Sequence, residues 1–320
     1  MKTKLIVNLV AGRGKVKKLL PAVQRKLKEE GIEYDLVFSR DCGQAKIFAQ
    51  QAKEAGYRRI IVCGGDGTVS EVINAIVKTD IALGIIPLGI GNDLARNLGI
   101  KKGIDFACHV LKHGEIKKID VIKVGENKYY GGVGGIGFDA EVVSFVNRWK
   151  KFIPAMFIYP FYIGAIMMEI AVLRPQKVRI KYDENSFSGK VLMVCFGNTG
   201  SYARVIKISP FALVDDGLLD ICIVKEIGEL KIVILFFRSF IKALPFWLPE
   251  VKIYEEIPGV EVYQARKVYL ESDTSLPFHG DAEIISRTPL CLEVVPEALK
   301  VIVPTISRGV LARPGIPLSV

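Results

Sequence analysis

Cysteine is scarce in this chain, and its spacing excludes both a disulfide scaffold and a zinc site built on cysteines. The sequence has 320 residues and six cysteines, with no CxxC pair. Most of them lie in apolar runs, where a thiol behaves as a small hydrophobic group. This pattern favours a reducing, cytoplasmic setting over a secreted one. The six are Cys42, Cys63, Cys108, Cys195, Cys222 and Cys291.

Long apolar runs are also missing. A helix needs about 20 apolar residues to cross a bilayer. The longest candidate, residues 152–168, has 17 uncharged residues and includes Pro154 and Pro160. The apolar stretch at 5–10 is shorter than the core of a secretory signal. We therefore expect neither a transmembrane span nor a signal peptide, and we interpret 5–10 as a first strand.

Negative charge is in the minority. Lysine and arginine number 44 against 34 aspartates and glutamates, for a net charge of +10. Such a balance favours an anionic partner, which could be a nucleotide phosphate, a nucleic acid or an acidic membrane surface. The basic residues are interspersed with acids, and no zinc-finger, helix-turn-helix or RNP motif occurs. We therefore expect no nucleic-acid partner.

The hydrophobic pattern changes near residue 120. Before it, strand-like segments alternate with helix-like segments, which predicts a doubly wound parallel sheet with helices on both faces. After it, short alternating segments separated by turn residues predict a mostly antiparallel β-sandwich. The prediction is thus an α/β fold with an N-terminal nucleotide-binding domain at 1–122, a β-sandwich domain at 123–304 and a tail at 305–320. The predicted strands are 4–9, 34–38, 59–63 and 81–87, then 117–124, 128–134, 177–182, 190–196, 218–225, 260–271 and 290–295; the predicted helices are 16–30, 44–55 and 69–78, with helical inserts near 150–173 and 229–248.

Three glycine-rich turns follow predicted parallel strands, at 8–15, 64–68 and 87–96. Glycines let the backbone approach a phosphate closely, and a helix N-terminus favours negative charge. Because the carboxyl ends of parallel strands meet at one edge of the sheet, the turns should converge. Asp66 could hold Mg²⁺ there. Thr68 and Glu71 also form a capping-box pattern, which is a purely structural explanation for Glu71.

Two of these turns resemble a known family. The run Gly64-Gly65-Asp66-Gly67-Thr68, followed by Ser70-Glu71-Val72, and the later Gly89-x-Gly91-Asn92-Asp93-x-Ala95-Arg96 are similar to motifs of the diacylglycerol kinase catalytic family, in particular its bacterial soluble lipid kinases. The resemblance extends over roughly residues 4–304. The segments 135–140, 215–220 and 281–283 also match family motifs, whereas the first motif alone is shared with NAD kinases.

The resemblance implies that ATP lies between the two domains and that catalysis requires Mg²⁺. Glu283 would be the general base for the lipid hydroxyl, and Asp66 and Asp93 would organise the catalytic Mg²⁺. The residues that would line the nucleotide are Asn8, Gly12, Ser39, Gly64, Gly65, Asp66, Gly67, Thr68, Glu71, Asn92 and Asp93.

Further roles follow from the same resemblance. A second, structural Mg²⁺ would be held by the Asp216 carboxylate with the backbone carbonyls of Leu213 and Leu218. Asp139 resembles an acid that contacts the lipid head group in sphingosine kinases. Related bacterial enzymes form homodimers, so a homodimer is compatible with the sequence. The chain departs from the family pattern at four positions, none of which removes an essential charge: Leu9, Ser70, Ile90 and Ala282.

Two apolar segments could bring the lipid to the site. The segment 152–173 is interpreted as a lid over a lipid cleft, with a buried core helix and a membrane anchor as alternatives. In 230–248, Lys231, Arg238 and Lys242 share one face of a strongly apolar helix, which is typical of binding to an anionic membrane surface. The alternative for that helix is packing on the sandwich with its basic residues solvated.

The sequence thus predicts an ATP- and Mg²⁺-dependent lipid kinase that acts peripherally at the inner membrane face and converts diacylglycerol to phosphatidic acid. The alternatives are another lipid alcohol (a sphingoid base, ceramide or monoacylglycerol), NAD, or a pseudokinase that binds ATP without turnover. His109 and His113 lie four positions apart on a predicted helix with no third ligand near them in the sequence, so we interpret them as a solvated or packed pair. His279 lies near Glu283 without an assigned role.

Overall fold

The structure, a computed structural model, describes residues 2–149, 152–153, 157–200, 209, 212–226 and 259–305. The helix predicted near 229–248 and residues 306–320 of the predicted tail lie outside these residues.

The N-terminal part contains four parallel strands in the order β2-β1-β3-β4. The strands β3 and β4 are almost wholly buried and apolar, as expected when helices cover both faces of a parallel sheet. The bounds are β1 Thr3–Asn8, β2 Asp35–Ser39, β3 Arg59–Gly64 and β4 Ala82–Pro87.

Helices pack on both faces of this sheet. The helices α1 and α5 share one buried cluster, and α2 and α3 share another. In α1 the buried residues Val16, Val23 and Leu27 repeat at helical spacing, which explains why this segment folds as a helix against the sheet. The prediction of a doubly wound α/β domain is confirmed. The bounds are α1 Lys15–Glu29, α2 Gln44–Glu54, α3 Asp66–Ile76, α4 Asp93–Asn97 and α5 Ile104–His113, with a 3₁₀ turn at Ala11–Gly14.

The C-terminal part is mostly antiparallel, as predicted. Side chains alternate along β9 and β10: Val194 and Ile221 point into the central core, whereas Cys195 and Cys222 point toward α6 and α7. The strands are β5 Glu115–Val124, β6 Lys128–Tyr130, β7 Val133–Gly137, β8 Gln176–Tyr182, β9 Asn185–Gly197, β10 Leu219–Lys225, β11 Val260–Ala265, β12 Lys267–Ser272, β13 Pro277–Gly280, β14 Glu283–Arg287 and β15 Leu290–Val303; the helices are α6 Phe138–Trp149 and α7 Ile158–Val172.

The predicted strand 260–271 is wrong in one respect, because the structure divides it into β11 and β12. The break lies at Arg266, whose backbone N–H donates to both carboxylate oxygens of Asp183, at 3.2 and 3.1 Å. The two strands consequently pair with different partners, β11 with β10 and β12 with β8 and β15.

The strand β15 joins the two halves of the chain. Its first half pairs with β12, whereas Lys300 and Val301 pair in parallel with Ala82 and Leu83 of β4. Hydrogen bonding therefore continues from the N-terminal sheet into the C-terminal strands. The boundary predicted after residue 122 falls inside β5 and stays a prediction.

Within the described part of the chain, no helix combines the length and the apolar character needed to cross a bilayer. The helix α7, in the apolar segment, has 15 residues.

Candidate active site

Asp66 connects two of the three glycine turns. It is the first residue of α3, directly after β3, and its carboxylate accepts the backbone N–H groups of Asn92 and Asp93, each at 2.6 Å. The carbonyl of Gly64 accepts the N–H groups of Leu88 and Gly89 at 2.9 and 3.0 Å. The turns after β3 and β4 are thus joined by both backbone and side-chain hydrogen bonds.

The turn after β4 is held in shape by its own asparagine. Asn92 is buried and has a left-handed backbone (φ 56°). Its side chain accepts the N–H of Gly89 and donates to the carbonyl of the same residue, both at 2.9 Å. This pair of hydrogen bonds fixes the turn, and with it the backbone amides of Asn92 and Asp93 that point at Asp66.

Gly89 is required for the contact between these turns. A Cβ on Gly89 would lie 2.8 Å from Oδ1 of Asn92 and would overlap the Cα of Gly65. We expect Gly89→Ala to displace the turn, to lower the free energy of unfolding by about 1–3 kcal/mol, and to weaken nucleotide binding. Thermal unfolding and titration with a nucleotide analogue measure the two effects. Gly164→Ala is the matched control because nothing lies within 4 Å of its Cβ, and equal nucleotide affinity in the two variants would contradict the prediction.

The site has a concentration of negative charge that suits a cation. Burial raises the pKa of Asp66, and the neighbouring carboxylate of Asp93 raises this pKa further. The hydrogen bonds from the Asn92 and Asp93 amides act in the opposite direction and lower this pKa. Asp93 is paired with Arg96. A hard divalent cation between these carboxylates would remove the penalty on the ionised Asp66, so the two residues fit a Mg²⁺ site.

The first glycine turn packs against the other two. Asn8 ends β1; its Nδ2 donates to Oγ1 of Thr68 at 2.8 Å, and its Oδ1 accepts the N–H groups of Val10 and Ala11 at 3.1 and 3.2 Å. Gly12 has a φ of 57°, and a Cβ there would lie 2.5 Å from the carbonyl oxygen of Leu88. The predicted convergence of the three turns is therefore present.

Ser39 ends β2 at the same edge of the sheet. Its side chain is 1% exposed, and its hydroxyl has no hydrogen-bond partner among the described residues. A buried hydroxyl without a partner costs free energy, so a ligand atom at this position would stabilise it.

Glu71 makes a contact that the sequence analysis did not foresee. Its two carboxylate oxygens accept the N–H groups of Gly43 and Ala45, at 2.8 and 3.0 Å, at the beginning of α2. The helix α3 begins after Gly65 without a side-chain cap, so the capping box predicted from Thr68 and Glu71 is wrong. Glu71 instead caps α2, with a favourable charge at that helix N-terminus.

Glu283 reaches the N-terminal domain from the C-terminal one. It is the first residue of β14, and a Cβ on Gly67 would lie 2.7 Å from its Oε1. Gly67 is the second residue of α3 and is adjacent to Asp66, and because it has no side chain the carboxylate can approach the helix closely. The structure therefore places the Glu283 carboxylate at the first turn of α3, the helix that begins with Asp66.

Hydrogen bonds from neighbouring elements hold the turn before Glu283 in place. Both Asp281 and Ala282 have left-handed backbones, with φ of 51° and 63°. The Asp281 carboxylate accepts the N–H groups of Gly131 and Gly132, at 3.0 and 2.9 Å, and Asn147 donates to the carbonyl of Ala282 at 3.1 Å. Ala282, which stands where the related family has glycine, thus adopts a conformation that glycine favours.

Asp281 carries a charge that its surroundings oppose. Burial raises the pKa of Asp281 to about 6, and the nearby Asp66 adds to this, whereas the amides of Gly131 and Gly132 and the ring of His279 lower it. The effect of the Asp66 charge on the pKa of Asp281 also indicates that the β13–β14 turn lies near the Asp66 carboxylate. Sequence reasoning gave Asp281 only as part of a motif.

Asp139 lies at the start of α6 and is buried. Its Oδ2 lies 2.9 Å from Nε2 of His279 and accepts the thiol of Cys195 at 3.3 Å, while its Oδ1 accepts the N–H of Ala140 at 2.8 Å. His279 is fully buried on β13, four residues before Glu283. The sequence analysis left His279 without a role; the structure makes it a link between α6 and the strand that leads to Glu283.

The predicted second metal site lies on a loop next to a buried acid. Asp216 accepts the N–H of Leu218 at 3.0 Å. Burial raises its pKa, and the carboxylates of Asp120 and Asp215 raise it further. Asp120, which sequence reasoning missed, accepts the N–H of Gly217 at 2.7 Å. Leu213 and Leu218 lie on the same loop, so the proposed ligands of a structural Mg²⁺ are near one another in the chain.

Two described residues of the apolar segment, Ile153 and Tyr162, lie near the same region. Arg13, in the first glycine turn, donates a hydrogen bond to the carbonyl of Ile153. Burial raises the pKa of Tyr162 on α7, and the charges of Asp93 and Asp66 raise this pKa further, whereas Arg13 lowers it. The apolar helix therefore lies close to the carboxylates of the site.

Comparison with known proteins shows which family the chain belongs to. The family profile for the diacylglycerol kinase catalytic domain matches residues 2–124, and that for the YegS C-terminal NAD kinase beta sandwich-like domain matches residues 132–303. The chain belongs to the diacylglycerol kinase family. The enzyme is 31% identical over 306 residues to a diacylglycerol kinase of Mycobacterium tuberculosis (strain ATCC 25618 / H37Rv), which covers 92% of this chain and 94% of that relative.

Other relatives extend the similarity. A diacylglycerol kinase of Staphylococcus epidermidis (strain ATCC 12228 / FDA PCI 1200) is 33% identical to the enzyme over 227 residues, or 70% of this chain and 71% of that relative. A crystal structure from Bacillus anthracis str. Sterne superposes with a TM-score of 0.76 at 25% identity and covers 95% of each chain. A second, described as a diacylglycerol kinase from the same strain, has a TM-score of 0.70 at 23% identity, covers 95% of this chain and 97% of that chain, and shows the fold alone. The predicted family and fold are confirmed, and the enzyme is a lipid kinase.

Proposed function

We propose that this lipid kinase transfers the γ-phosphate of ATP to the free hydroxyl of diacylglycerol and so forms phosphatidic acid and ADP, with Mg²⁺ as the required cation. The observation that carries the proposal is the position of the Glu283 carboxylate against the first turn of α3, beside Asp66. Phosphoryl transfer needs a neutralised phosphate, in-line positioning and a group that accepts the alcohol proton. The site offers residues for all three.

The nucleotide would bind along the three glycine turns. The residues there are Asn8, Gly12, Gly64, Gly65, Gly67, Thr68 and Asn92, with Ser39 nearby for the nucleoside. The N-terminus of α3 favours the negative charge of the triphosphate, because its first amides have no partner within the helix. Glu71 would act through α2, which it caps, since both its oxygens already accept amides.

Asp66 and Asp93 would hold Mg²⁺ at this edge. When bound, Mg²⁺ offsets the negative charge of the transferring phosphoryl group and of the ADP oxygen that leaves. The hydrogen bonds from Asn92 and Asp93 fix both oxygens of Asp66, so the carboxylate is oriented before ligands arrive.

Glu283 would remove the proton from the lipid hydroxyl. The hydroxyl oxygen then forms a bond to the γ-phosphorus, and the bond between that phosphorus and the bridging oxygen of ADP breaks. Asp281, His279 and Asn147 hold the β13–β14 turn in place, so they position this base. Asp139 is proposed as a contact of the lipid head group, since it lies on the same buried network.

The lipid would enter along α7. Met168 and Val172 lie one turn apart on this helix and are 46% and 64% exposed, and Phe152 before it is 75% exposed. A row of exposed apolar side chains next to the site is suited to contact with acyl chains at a membrane surface. We therefore propose that the enzyme acts peripherally at the inner membrane face. The lipid would meet the nucleotide between an N-terminal domain at 1–122 and a C-terminal domain at 123–304.

A charge on this face should weaken contact with lipid. We expect Met168→Glu to reduce binding to lipid vesicles by about tenfold or more, because an apolar side chain that becomes buried contributes roughly 1.5–3 kcal/mol. Co-sedimentation with vesicles measures this effect. Ile116→Glu is the control, since Ile116 on β5 is 57% exposed and distant in the chain from α7. Equal sedimentation of the two variants would contradict a role of α7 in lipid contact.

The loop 212–218 would hold the structural Mg²⁺ through Asp216 and the backbone carbonyls of Leu213 and Leu218. Its support is the raised pKa of Asp216, which a bound cation would lower again. A homodimer formed near this loop is proposed as well, and sedimentation velocity with and without Mg²⁺ tests both proposals.

The test of the proposed function is transfer of γ-labelled phosphate to a panel of lipids in detergent. The panel contains diacylglycerol, monoacylglycerol, a sphingoid base and ceramide, with NAD as a separate sample. We expect label in phosphatidic acid with diacylglycerol, dependent on Mg²⁺. Label in another lipid would show that this lipid is the acceptor, and label in NADP would show that the acceptor is NAD. Nucleotide binding without transfer to any acceptor would indicate a pseudokinase.

A further inference from the structure

A second group of potential metal ligands lies outside the active site. Among the described residues, the ligand atoms of Glu30, His109 and His113 all lie within 4.8 Å of one another. Nε2 of His113 is 3.3 Å from Oε2 of Glu30, and Nδ1 of His109 is 4.0 Å from Oε1 of the same carboxylate. Two ligands on one tetrahedral Zn²⁺, with bonds of about 2.0–2.1 Å, are separated by about 3.3 Å. The spacing therefore needs little adjustment to enclose an ion.

The fold brings this group together without help from a metal. His109 and His113 are one turn apart on α5, and their ring centroids are 4.5 Å apart. Glu30 is the C-cap of α1, where its N–H is bonded to Lys26 and Lys28 carbonyls. Both helices are anchored in one buried cluster, which includes Leu27 and Cys108, so the three side chains project from fixed backbones. The third ligand that the sequence lacked near the histidines comes from another helix.

We propose that Glu30, His109 and His113 form a binding site for Zn²⁺ or another late first-row divalent cation. Two imidazoles and one carboxylate suit such ions, whereas Mg²⁺ prefers oxygen ligands alone. The side chains of His109 and His113 are 62% and 55% exposed and that of Glu30 13%, so the ion has a path from solvent and a position for water as the fourth ligand. Bound metal would join the end of α1 to α5.

The group is separate from the Mg²⁺ site. The 15 residues of α1 lie between Glu30 and the first glycine turn, a helix length of roughly 22 Å. Saturating Mg²⁺ can therefore occupy the active site while the second site is titrated.

The experiment is calorimetric titration of ZnCl₂ into the full-length protein at slightly alkaline pH, where free histidine is neutral, with excess MgCl₂ and no phosphate. We expect one equivalent of Zn²⁺ to bind. We expect the affinity for Zn²⁺ to fall by at least about tenfold in each of three variants, Glu30→Gln, His109→Gln and His113→Gln. Loss of a residue that only hydrogen-bonds to a metal ligand already has an effect of this size. Glu29→Gln is the matched control, because Glu29 precedes Glu30 but pairs with Lys26 and should keep full affinity.

Two further measurements keep the test specific. Melting temperature without zinc shows that the variants are folded, and added zinc should raise it in the wild type but not in Glu30→Gln. The Co²⁺ complex should lack a thiolate charge-transfer band, which would appear if the exposed Cys42 were the ligand. No binding by the wild type, equal affinity in His113→Gln, or a thiolate band would each overturn the proposal.

Discussion

Glu283→Gln is expected to lose turnover by about 10²- to 10⁴-fold, the range that one general acid–base group contributes. Glutamine keeps the size and the hydrogen-bonding oxygen of Glu283 but cannot accept the proton of an alcohol. The Glu283 carboxylate lies close to Gly67, at the place where a side chain on that residue would begin. Glu283 itself belongs to β14, in the C-terminal half of the chain, whereas the glycine turns belong to the N-terminal half. The affinity for an ATP analogue should therefore change little.

The measurement is steady-state kinetics with labelled ATP and lipid, together with calorimetric titration of the analogue. Glu293→Gln, an exposed glutamate on β15 in the same part of the chain, is the control for loss of a charge. Near-normal turnover by Glu283→Gln would show that another group accepts the proton. Loss of analogue binding together with turnover would instead make Glu283 a binding residue.

Asp66→Asn is expected to lower turnover by about 10²- to 10³-fold or more, as removal of a group that stabilises transition-state charge does. An asparagine is a poor ligand for Mg²⁺ and has only one oxygen to accept the two amides of Asn92 and Asp93. The Mg²⁺ concentration needed for half-maximal activity should rise, and this concentration directly measures the loss of the proposed metal site.

Stability separates this effect from unfolding. Because burial raises the pKa of Asp66, the ionised carboxylate destabilises the metal-free fold at neutral pH, and this cost decreases as pH falls through the raised pKa. Asparagine removes that cost and loses one hydrogen bond, worth about 1–3 kcal/mol when an amide is left buried. Asp105→Asn is the control, since Asp105 also lies in the first turn of a helix but is 90% exposed. A large loss of metal-free stability in Asp66→Asn alone would make Asp66 a structural residue.

The local elements were predictable because each depends on its own segment. The apolar run at 59–63 predicted a strand and corresponds to β3, and the helical spacing at 16–30 predicted a helix and corresponds to α1. The sequence analysis did not find α4, Asp93–Asn97, because five residues are too few for a periodic pattern. It also ended the last strand at 295, whereas β15 continues to Val303 because β4 and β5 pair with its second half.

The candidate site was predictable only where a motif had a recognisable local form. The glycine turns could be placed at one sheet edge from the strand pattern, but the meeting of Asp66 and Glu283 rested on resemblance alone. The roles of Asp120 and His279 were missed because their partners lie far away in the chain; His279 and Asp139 are 140 positions apart. The capping-box prediction for Glu71 was wrong for the same reason, since the amides that its carboxylate accepts lie at the start of α2. Tertiary contacts of this kind leave no pattern in a single sequence.

A crystal structure with Mg²⁺ and a non-hydrolysable ATP analogue tests most directly whether one phosphate lies between Asp66 and Glu283. We expect the triphosphate along the three glycine turns, the metal on Asp66 and Asp93, and the Glu283 carboxylate on the open side of the γ-phosphate. A nucleotide bound elsewhere, or a terminal phosphate that faces away from Glu283, would contradict the account.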